Sequence, residues 1–131
     1  MALLTIETER QEEFRDITDQ VGGAIRESGV PSGVCLLFSP HTTCGLTVNE
    51  GWDPDVATDV IRHLGELVPR EHAWRHAEGN SDAHLKTVLV GTEATLPIEG
   101  GELVLGRWQR IFLCEFDGPR RRQVRLTVVR A

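Results

Sequence analysis

A short polar segment in the middle of the chain holds the residue types best suited to chemistry. The segment HAEGNSDAHLK, at 76–86, places two histidines, two acidic residues and an amide at two-residue spacing: His76, Glu78, Asn80, Asp82 and His84. Imidazole nitrogens and carboxylate oxygens are the ligands that zinc and its first-row neighbours accept. The same groups transfer protons near neutral pH. The segment therefore predicts a metal or acid–base site, and the competing interpretation is a solvated turn that caps a helix.

A second polar cluster lies upstream in PHTTCGLTVNE, at 40–50. It begins with His41 and ends with Asn49 and Glu50, so polar groups stand at both ends of a predicted strand. The alternative interpretation is structural, with the histidine bound to a backbone carbonyl group. Cys44 follows the polar HTT sequence, whereas Cys35 and Cys114 lie within the apolar runs GVCLLF and IFLCEF and are expected to be buried packing residues.

The overall composition limits the class of protein. With 131 residues, 40% hydrophobic and 26% charged, the chain is expected to form one soluble domain at 1–131. No apolar run approaches the roughly 20 residues of a membrane span. The N-terminal residues lack the basic start and apolar stretch of a secretory signal, so we expect a cytoplasmic protein without membrane contact. The net charge of −6 argues against nucleic-acid binding.

Three consecutive arginines, Arg120–Arg122, interrupt this acidic composition. Guanidinium groups bind phosphate and carboxylate in a bidentate manner, and side chains alternate along a strand. Arg120 and Arg122 are therefore expected to face one way and Arg121 the other. Together with the free N–H groups of a helix that starts near Ser81, they predict a site for an anion. The competing interpretation is a solvated basic turn.

The spacing of apolar residues predicts the elements that position these clusters. The first half is expected to contain a strand at 3–7, a helix at 11–28, a strand at 33–39 that is buried on both faces, and a helix from Asp53–Pro54 to just before Pro69. The second half is expected to contain a short helix at about 83–90 that Ser81 or Asp82 caps, a hairpin around Gly100–Gly101, a long strand within 106–116, a turn through 118–119 and a strand at 124–129. This order predicts an α+β fold with a mixed, mostly antiparallel, curved sheet, two main helices and one short helix.

Several motifs occur in an order that resembles one family. They are HTTCGLTVNE, DPDV, EGNSDAHLK, the GT and TxP pair within 91–97, and LGRWQRIFLCEFDGPR. The set covers nearly the whole chain and is similar to the YjbQ-like family, which is small, single-domain and uncharacterised, and is also labelled a secondary thiamine-phosphate synthase. The resemblance implies a barrel-like sheet, a homotrimer, and a metal-associated pocket where subunits meet. It also implies a transferase side activity that forms thiamine phosphate.

The resemblance assigns roles to particular residues. It implies that the metal, most simply zinc, is bound by His41, His76 and His84, which leaves a fourth position for water as in catalytic zinc sites. The groups that it implies for orientation or acid–base chemistry are Glu50, Asn80, Asp82 and Glu115. The family often has a further histidine after the Cys–Glu pair, where this chain has Phe116.

Two functions are compatible with these residues. The first is an enzyme in which the metal site acts on a phosphorylated or pyrophosphorylated substrate that Ser81, Arg120 and Arg122 bind. The second is a non-catalytic trimeric module that holds a metal or a small anionic ligand. The chain contains neither a GxGxxG motif nor a P-loop, so no nucleotide-binding signature supports the first function.

Overall fold

Eight strands and three helices make up the computed structural model, which describes residues 1–131. In chain order they are β1 (Ala2–Glu7), β2 (Glu13–Asp16), α1 (Thr18–Ser28), β3 (Ser32–Phe38), β4 (Cys44–Glu50), α2 (Pro54–Leu67), α3 (Ser81–Val90), β5 (Glu93–Glu99), β6 (Glu102–Leu103), β7 (Gln109–Glu115) and β8 (Arg121–Arg130). None of the helices has the length and hydropathy that crossing a bilayer requires.

The strands form two antiparallel sheets that share one core. The larger sheet has the order β1-β8-β3-β5-β6 and the smaller one the order β2-β7-β4. Leu37 and Leu126 from the first sheet pack with Leu46 and Leu113 from the second, and Ile25 of α1 closes the same cluster. The backbone N–H of Leu46 in β4 donates to the carbonyl oxygen of Gly91 at the end of α3, and this bond connects the helix to the smaller sheet. The predicted α+β fold of one domain with a curled, mostly antiparallel sheet is confirmed.

Local signals predicted two elements correctly. Asp53 is the N-cap of α2, its side chain accepts the N–H of Asp55 at 3.0 Å, and Pro54 occupies the first turn. The β5–β6 hairpin turns at Gly100 and Gly101, whose φ values of 58° and 78° are the left-handed conformations that tight hairpins require. Both signals depend on interactions between residues that are adjacent in the chain.

The prediction of one helix over 11–28 was wrong. Residues Glu13–Asp16 form strand β2, and α1 begins only at Thr18. Phe14 occurs at helical spacing, but its ring packs against Phe112 at 6.0 Å and Phe116 at 6.5 Å between centroids. Pairing with β7, about a hundred residues further along the chain, therefore outweighs the local helical pattern.

The prediction that the strand at 33–39 is buried on both faces was also wrong. Cys35 and Leu37 of β3 are fully buried, whereas Val34, Leu36 and Phe38 are 38%, 37% and 42% exposed. The strand is central, between β8 and β5, but the side chains on its outer face stay partly exposed, so no other part of the chain buries them. An uninterrupted apolar sequence therefore leaves one apolar face uncovered within a single copy.

Candidate functional site

Two of the candidate histidines meet at the start of α3. The ring centroids of His76 and His84 are 5.3 Å apart. His84 lies in the first turn of α3, where side chains point back toward the helix N-terminus, and the loop before the helix brings His76 to that position. The pair opens into a concavity of about 420 Å³ whose wall includes Trp74, Leu85 and Val88.

The side chain of Ser81 orients His76. Its Oγ lies 3.0 Å from His76 Nδ1 and 3.5 Å from the carbonyl oxygen of the same residue. Both contacts are satisfied when His76 Nδ1–H donates to the hydroxyl oxygen and the hydroxyl donates to the carbonyl. Nε2 then keeps its lone pair, with Glu78 Oε1 at 3.8 Å. The predicted cap at Ser81 or Asp82 is absent, since α3 has Asn80 as its N-cap residue without a side-chain cap bond.

His41 lies on the other side of His84. It precedes β4, and its Nε2 accepts the backbone N–H of Gln123 at 2.9 Å. His41 and His84 line the same concavity of about 440 Å³, together with Thr42, Thr87, Val88, Gly91 and Thr92. Burial lowers the pKa of His41, and the nearby charge of Arg122 lowers it further.

The three histidines do not form one metal-binding set within a single copy of the chain. No three histidine, cysteine or carboxylate side chains lie close enough together to hold one ion. His76 and His84 fit two positions of a zinc site, because their rings are adjacent and a hydroxyl orients one of them. His41 does not complete the set, because its Nε2 already accepts a hydrogen bond.

Asn80 connects the start of α3 to one of the predicted arginines. Its Nδ2 donates to Asp117 Oδ2 at 2.9 Å, and the same oxygen accepts from a terminal nitrogen of Arg120 at 3.0 Å. Asn80 Oδ1 is buried and has no hydrogen-bond partner. Asp117 was missed from the sequence, although it lies in the DGPR motif directly before the arginines.

Arg122 and Glu115 form a buried ion pair with each other. They are 3% and 0% exposed, and Arg122 Nε donates to Glu115 Oε1 at 2.8 Å while a terminal guanidinium nitrogen donates to Glu115 Oε2. The same nitrogen donates to Thr43 Oγ1 at 2.9 Å, and Thr8 donates to Glu115 at 2.7 Å. Burial alone would raise the pKa of Glu115, but the hydrogen bonds from Arg122 and Thr8 hold it below its usual value. Neither group is exposed to a ligand in the isolated chain.

The expectation that Arg120 and Arg122 share one face was wrong. Strand β8 begins at Arg121, so Arg120 belongs to the preceding turn and does not follow the alternation. Arg122 points inward, while Arg121 points outward and pairs with Glu7 at 2.6 Å. Of these three arginines, only Arg120 is connected to the start of α3, through Asp117 and Asn80.

Glu50 and Asp82 lie apart from the histidine pair. Glu50 Oε2 accepts the backbone N–H groups of the two residues that precede α2, and its side chain lines a different concavity of about 420 Å³ beside β2. Asp82 is buried 3.4 Å from the amino group of Lys86, which also donates to Glu12 at 2.8 Å. Lys86 was missed as a candidate, although it is the only lysine in the chain.

Cys44 is a packing residue in this arrangement. Its thiol is buried 3.3 Å from Ser39 Oγ, and burial raises its pKa despite that contact. The thiolate form is therefore disfavoured near neutral pH. The other two cysteines are also buried and free, as expected from their apolar surroundings.

Sequence and structure comparisons identify the relatives of this chain. The model of the family described as UPF0047 protein YjbQ-like matches residues 2–131. A UPF0047 protein of Methanocaldococcus jannaschii is 47% identical over 124 residues, which covers 95% of this chain and 90% of the relative. The UPF0047 protein YugU of Bacillus subtilis is 48% identical over 120 residues and 91% of each chain.

Solved structures agree with this relationship. A YjbQ/UPF0047 family protein of Clostridium acetobutylicum superposes with a TM-score of 0.96 at 43% identity, over 98% of this chain and 100% of that one. A conserved hypothetical protein of Thermus thermophilus superposes with a TM-score of 0.92 at 48% identity, again over 98% and 100% of the two chains. The chain therefore belongs to the YjbQ/UPF0047 family.

Proposed function

We propose that this protein is a metal-associated enzyme that acts on a small phosphorylated or pyrophosphorylated substrate at the His76–His84 pair. The observation that carries the proposal is the contact of two imidazoles, 5.3 Å between centroids, at the N-terminus of a ten-residue helix. Ser81 leaves Nε2 of His76 with an available lone pair. Zinc is the first candidate, because imidazole is among its preferred ligands.

The residues around the pair suit an anionic substrate. The first N–H groups of a helix lack partners within the helix, and its dipole favours negative charge. Arg120, held by Asp117 next to Asn80, brings a half-exposed guanidinium toward the same end of α3. A bound divalent metal would supply charge stabilisation to a phosphoryl oxygen or a departing pyrophosphate. The thiamine-phosphate synthase activity that the family label suggests joins two such anionic substrates, which is consistent with this site.

A homotrimer is part of the proposal. Leu85 and Val88 are exposed on α3 beside the histidine pair, and β3 exposes three further apolar side chains on its outer face. Neighbouring copies that cover these surfaces would exclude water from the site and could supply the missing metal ligand. Exclusion of water strengthens every electrostatic interaction with the substrate.

The alternative is a non-catalytic trimeric module that binds a metal or an anion. It is favoured by the engagement of the carboxylates that were expected to do chemistry, since Glu115 is paired with Arg122 and Asp82 with Lys86. A carboxylate that is buried and paired with a cation is a poor general base, because its oxygens are occupied by the cation's hydrogen bonds.

The metal content of histidine variants tests the proposal. His76→Ala and His84→Ala should lose bound zinc, as measured by elemental analysis of the purified protein. His63→Ala and His72→Ala are matched controls that should keep the wild-type content, because both side chains are exposed and neither lines the concavity beside the pair. A full zinc content in both His76→Ala and His84→Ala would contradict the metal assignment.

Turnover separates the enzyme from the module. Wild-type protein should hydrolyse at least one member of a panel of phosphate esters and pyrophosphates, or transfer a group from it. Removal of zinc by a chelator should abolish that activity. If zinc binds but no member of the panel reacts, the non-catalytic module is supported instead.

A further inference from the structure

The side chain of His41 accepts a backbone hydrogen bond from β8 just beyond the end of β3. The pairing of β3 with β8 ends at Phe38 opposite Arg125, so β3 does not reach Gln123. The backbone N–H of Gln123 donates to His41 Nε2 at 2.9 Å instead. The backbone N–H of His41 donates in turn to Ser39 Oγ at 3.4 Å, which fixes the residue from its other side.

This contact determines which nitrogen of the ring carries the proton. A ring nitrogen that accepts a hydrogen bond carries a lone pair, so the proton of the neutral imidazole is on Nδ1. A histidine binds a metal through a lone pair. In His41 the lone pair on Nε2 is used by the backbone, and Nδ1–H is a donor that makes no hydrogen bond within the chain.

The surroundings of His41 disfavour positive charge. Burial and the charge of Arg122 lower the pKa of His41, with a smaller contribution of the same sign from Arg120. The charge of Glu115 acts in the opposite direction without reversing the shift. A divalent cation at this ring would meet the same repulsion from Arg122.

We infer that His41 is a hydrogen-bond donor to the bound anion through Nδ1–H and is not a third ligand of the metal held by His76 and His84. The concavity of about 440 Å³ between His41 and His84 has room for a phosphate group. The identity of the anion rests on the proposed function, whereas the tautomer of His41 does not. The role differs from the metal-ligand role that the family resemblance implies.

The tautomer can be measured directly. In ¹⁵N-labelled protein near neutral pH, a long-range proton–nitrogen correlation spectrum distinguishes protonated from unprotonated ring nitrogens. We expect a protonated Nδ1 and an unprotonated Nε2 in the signal that disappears in His41→Asn. A protonated Nε2 in that signal would overturn the inference whatever the protein binds.

Two substitutions at His41 separate the two ring nitrogens. Asparagine places an amide N–H near the position of Nδ1, and glutamine places an amide oxygen near the position of Nε2 but lacks the Nδ1 donor. Both variants should retain wild-type zinc by elemental analysis. By calorimetry with inorganic phosphate and pyrophosphate, His41→Asn should stay within about threefold of wild type, and His41→Gln should bind about tenfold more weakly, or about 1.4 kcal/mol.

The outcomes distinguish this inference from the proposed function. Zinc content that falls in His41→Asn and His41→Gln to the level of His84→Ala would make His41 a metal ligand and overturn only the inference. Equal losses of phosphate affinity in the two variants would also overturn it. A wild-type protein with neither zinc nor phosphate affinity would overturn the proposed function and, with it, the anion as the partner of His41.

Discussion

At the scale of single residues, the buried ionic groups of this protein occur as pairs. Arg122 and Glu115 are joined by two hydrogen bonds in the interior, and the amino group of Lys86 lies between Asp82 and Glu12. A buried charge is tolerated when an opposite charge and hydrogen bonds compensate its loss of hydration. These residues therefore hold the strands and α3 in place around the histidines, which makes them positioning groups in the isolated chain.

The Arg122–Glu115 pair gives a prediction about stability. Glu115→Gln keeps the size of the side chain but leaves the guanidinium uncompensated, so the free energy of unfolding should fall by about 3–5 kcal/mol in urea denaturation. Replacement of both partners by apolar residues, Glu115→Leu with Arg122→Met, should be less destabilising than the single change, because no charge stays unpaired. Arg121→Ala is the control and should cost about 1 kcal/mol or less, since its pair with Glu7 is exposed. A double variant with a lower free energy of unfolding than Glu115→Gln would contradict this account.

The residues of the candidate site were predictable in part. His76 and His84 are eight residues apart and meet because a helix begins between them, which local signals indicate. The role of His41 depends on Gln123, and the partner of Glu115 is a β8 residue whose inward direction follows from the register with β1. A single sequence gives alternation along a strand but does not give the residue at which the strand begins. The predicted alternation therefore holds for Arg121 and Arg122 and fails for Arg120, which precedes β8.

At the scale of elements, close backbone packing sets the position of α3. A Cβ atom on Gly45 of β4 would lie 2.5 Å from the carbonyl oxygen of Gly91, at the C-terminal end of the helix, and 3.1 Å from Val90 Cγ1. The absence of a side chain at this point allows the helix that carries His84 to approach the smaller sheet. The same kind of long-range contact explains why β2 is a strand, although its residues fit a helical pattern.

A matched pair of glycine variants tests this packing. Gly45→Ala should lower the free energy of unfolding by about 1–3 kcal/mol, because either β4 or α3 must shift. Gly23→Ala is the control in α1, where nothing lies within 4 Å of the added Cβ, and it should raise the free energy by about 0.5–1 kcal/mol because alanine favours the helix. Urea denaturation measures both, and a neutral Gly45→Ala would show that the approach of α3 is not constrained at this point.

At the scale of the whole molecule, one copy of the chain leaves an apolar surface without a cover. On the outer face of the larger sheet, Val34, Leu36 and Phe38 of β3 form a row, and Val129 of β8, which is 54% exposed, is paired with Val34. Leu3 of β1 is 50% exposed on the same face, two strands away and beyond Arg125 of β8. Exposed apolar side chains grouped on one face of a sheet are typical of an interface between proteins. The exposed apolar side chains of α3 lie beside the histidines, so assembly and the candidate site are expected to be coupled.

We predict that the protein is a homotrimer and that the outer face of the larger sheet holds it together. Sedimentation equilibrium at micromolar concentration should give a mass near three times 14.6 kDa for the wild type. Leu36→Lys should shift the protein toward the monomer without unfolding it, because the side chain is 37% exposed in the isolated chain and a charge would be buried only in the assembly. Leu67→Lys is the matched control on α2, where an exposed leucine lies away from this face, and it should leave the mass unchanged. A wild-type mass near 14.6 kDa would rule out the trimer. A Leu36→Lys variant that stays trimeric would show that the interface lies on another surface.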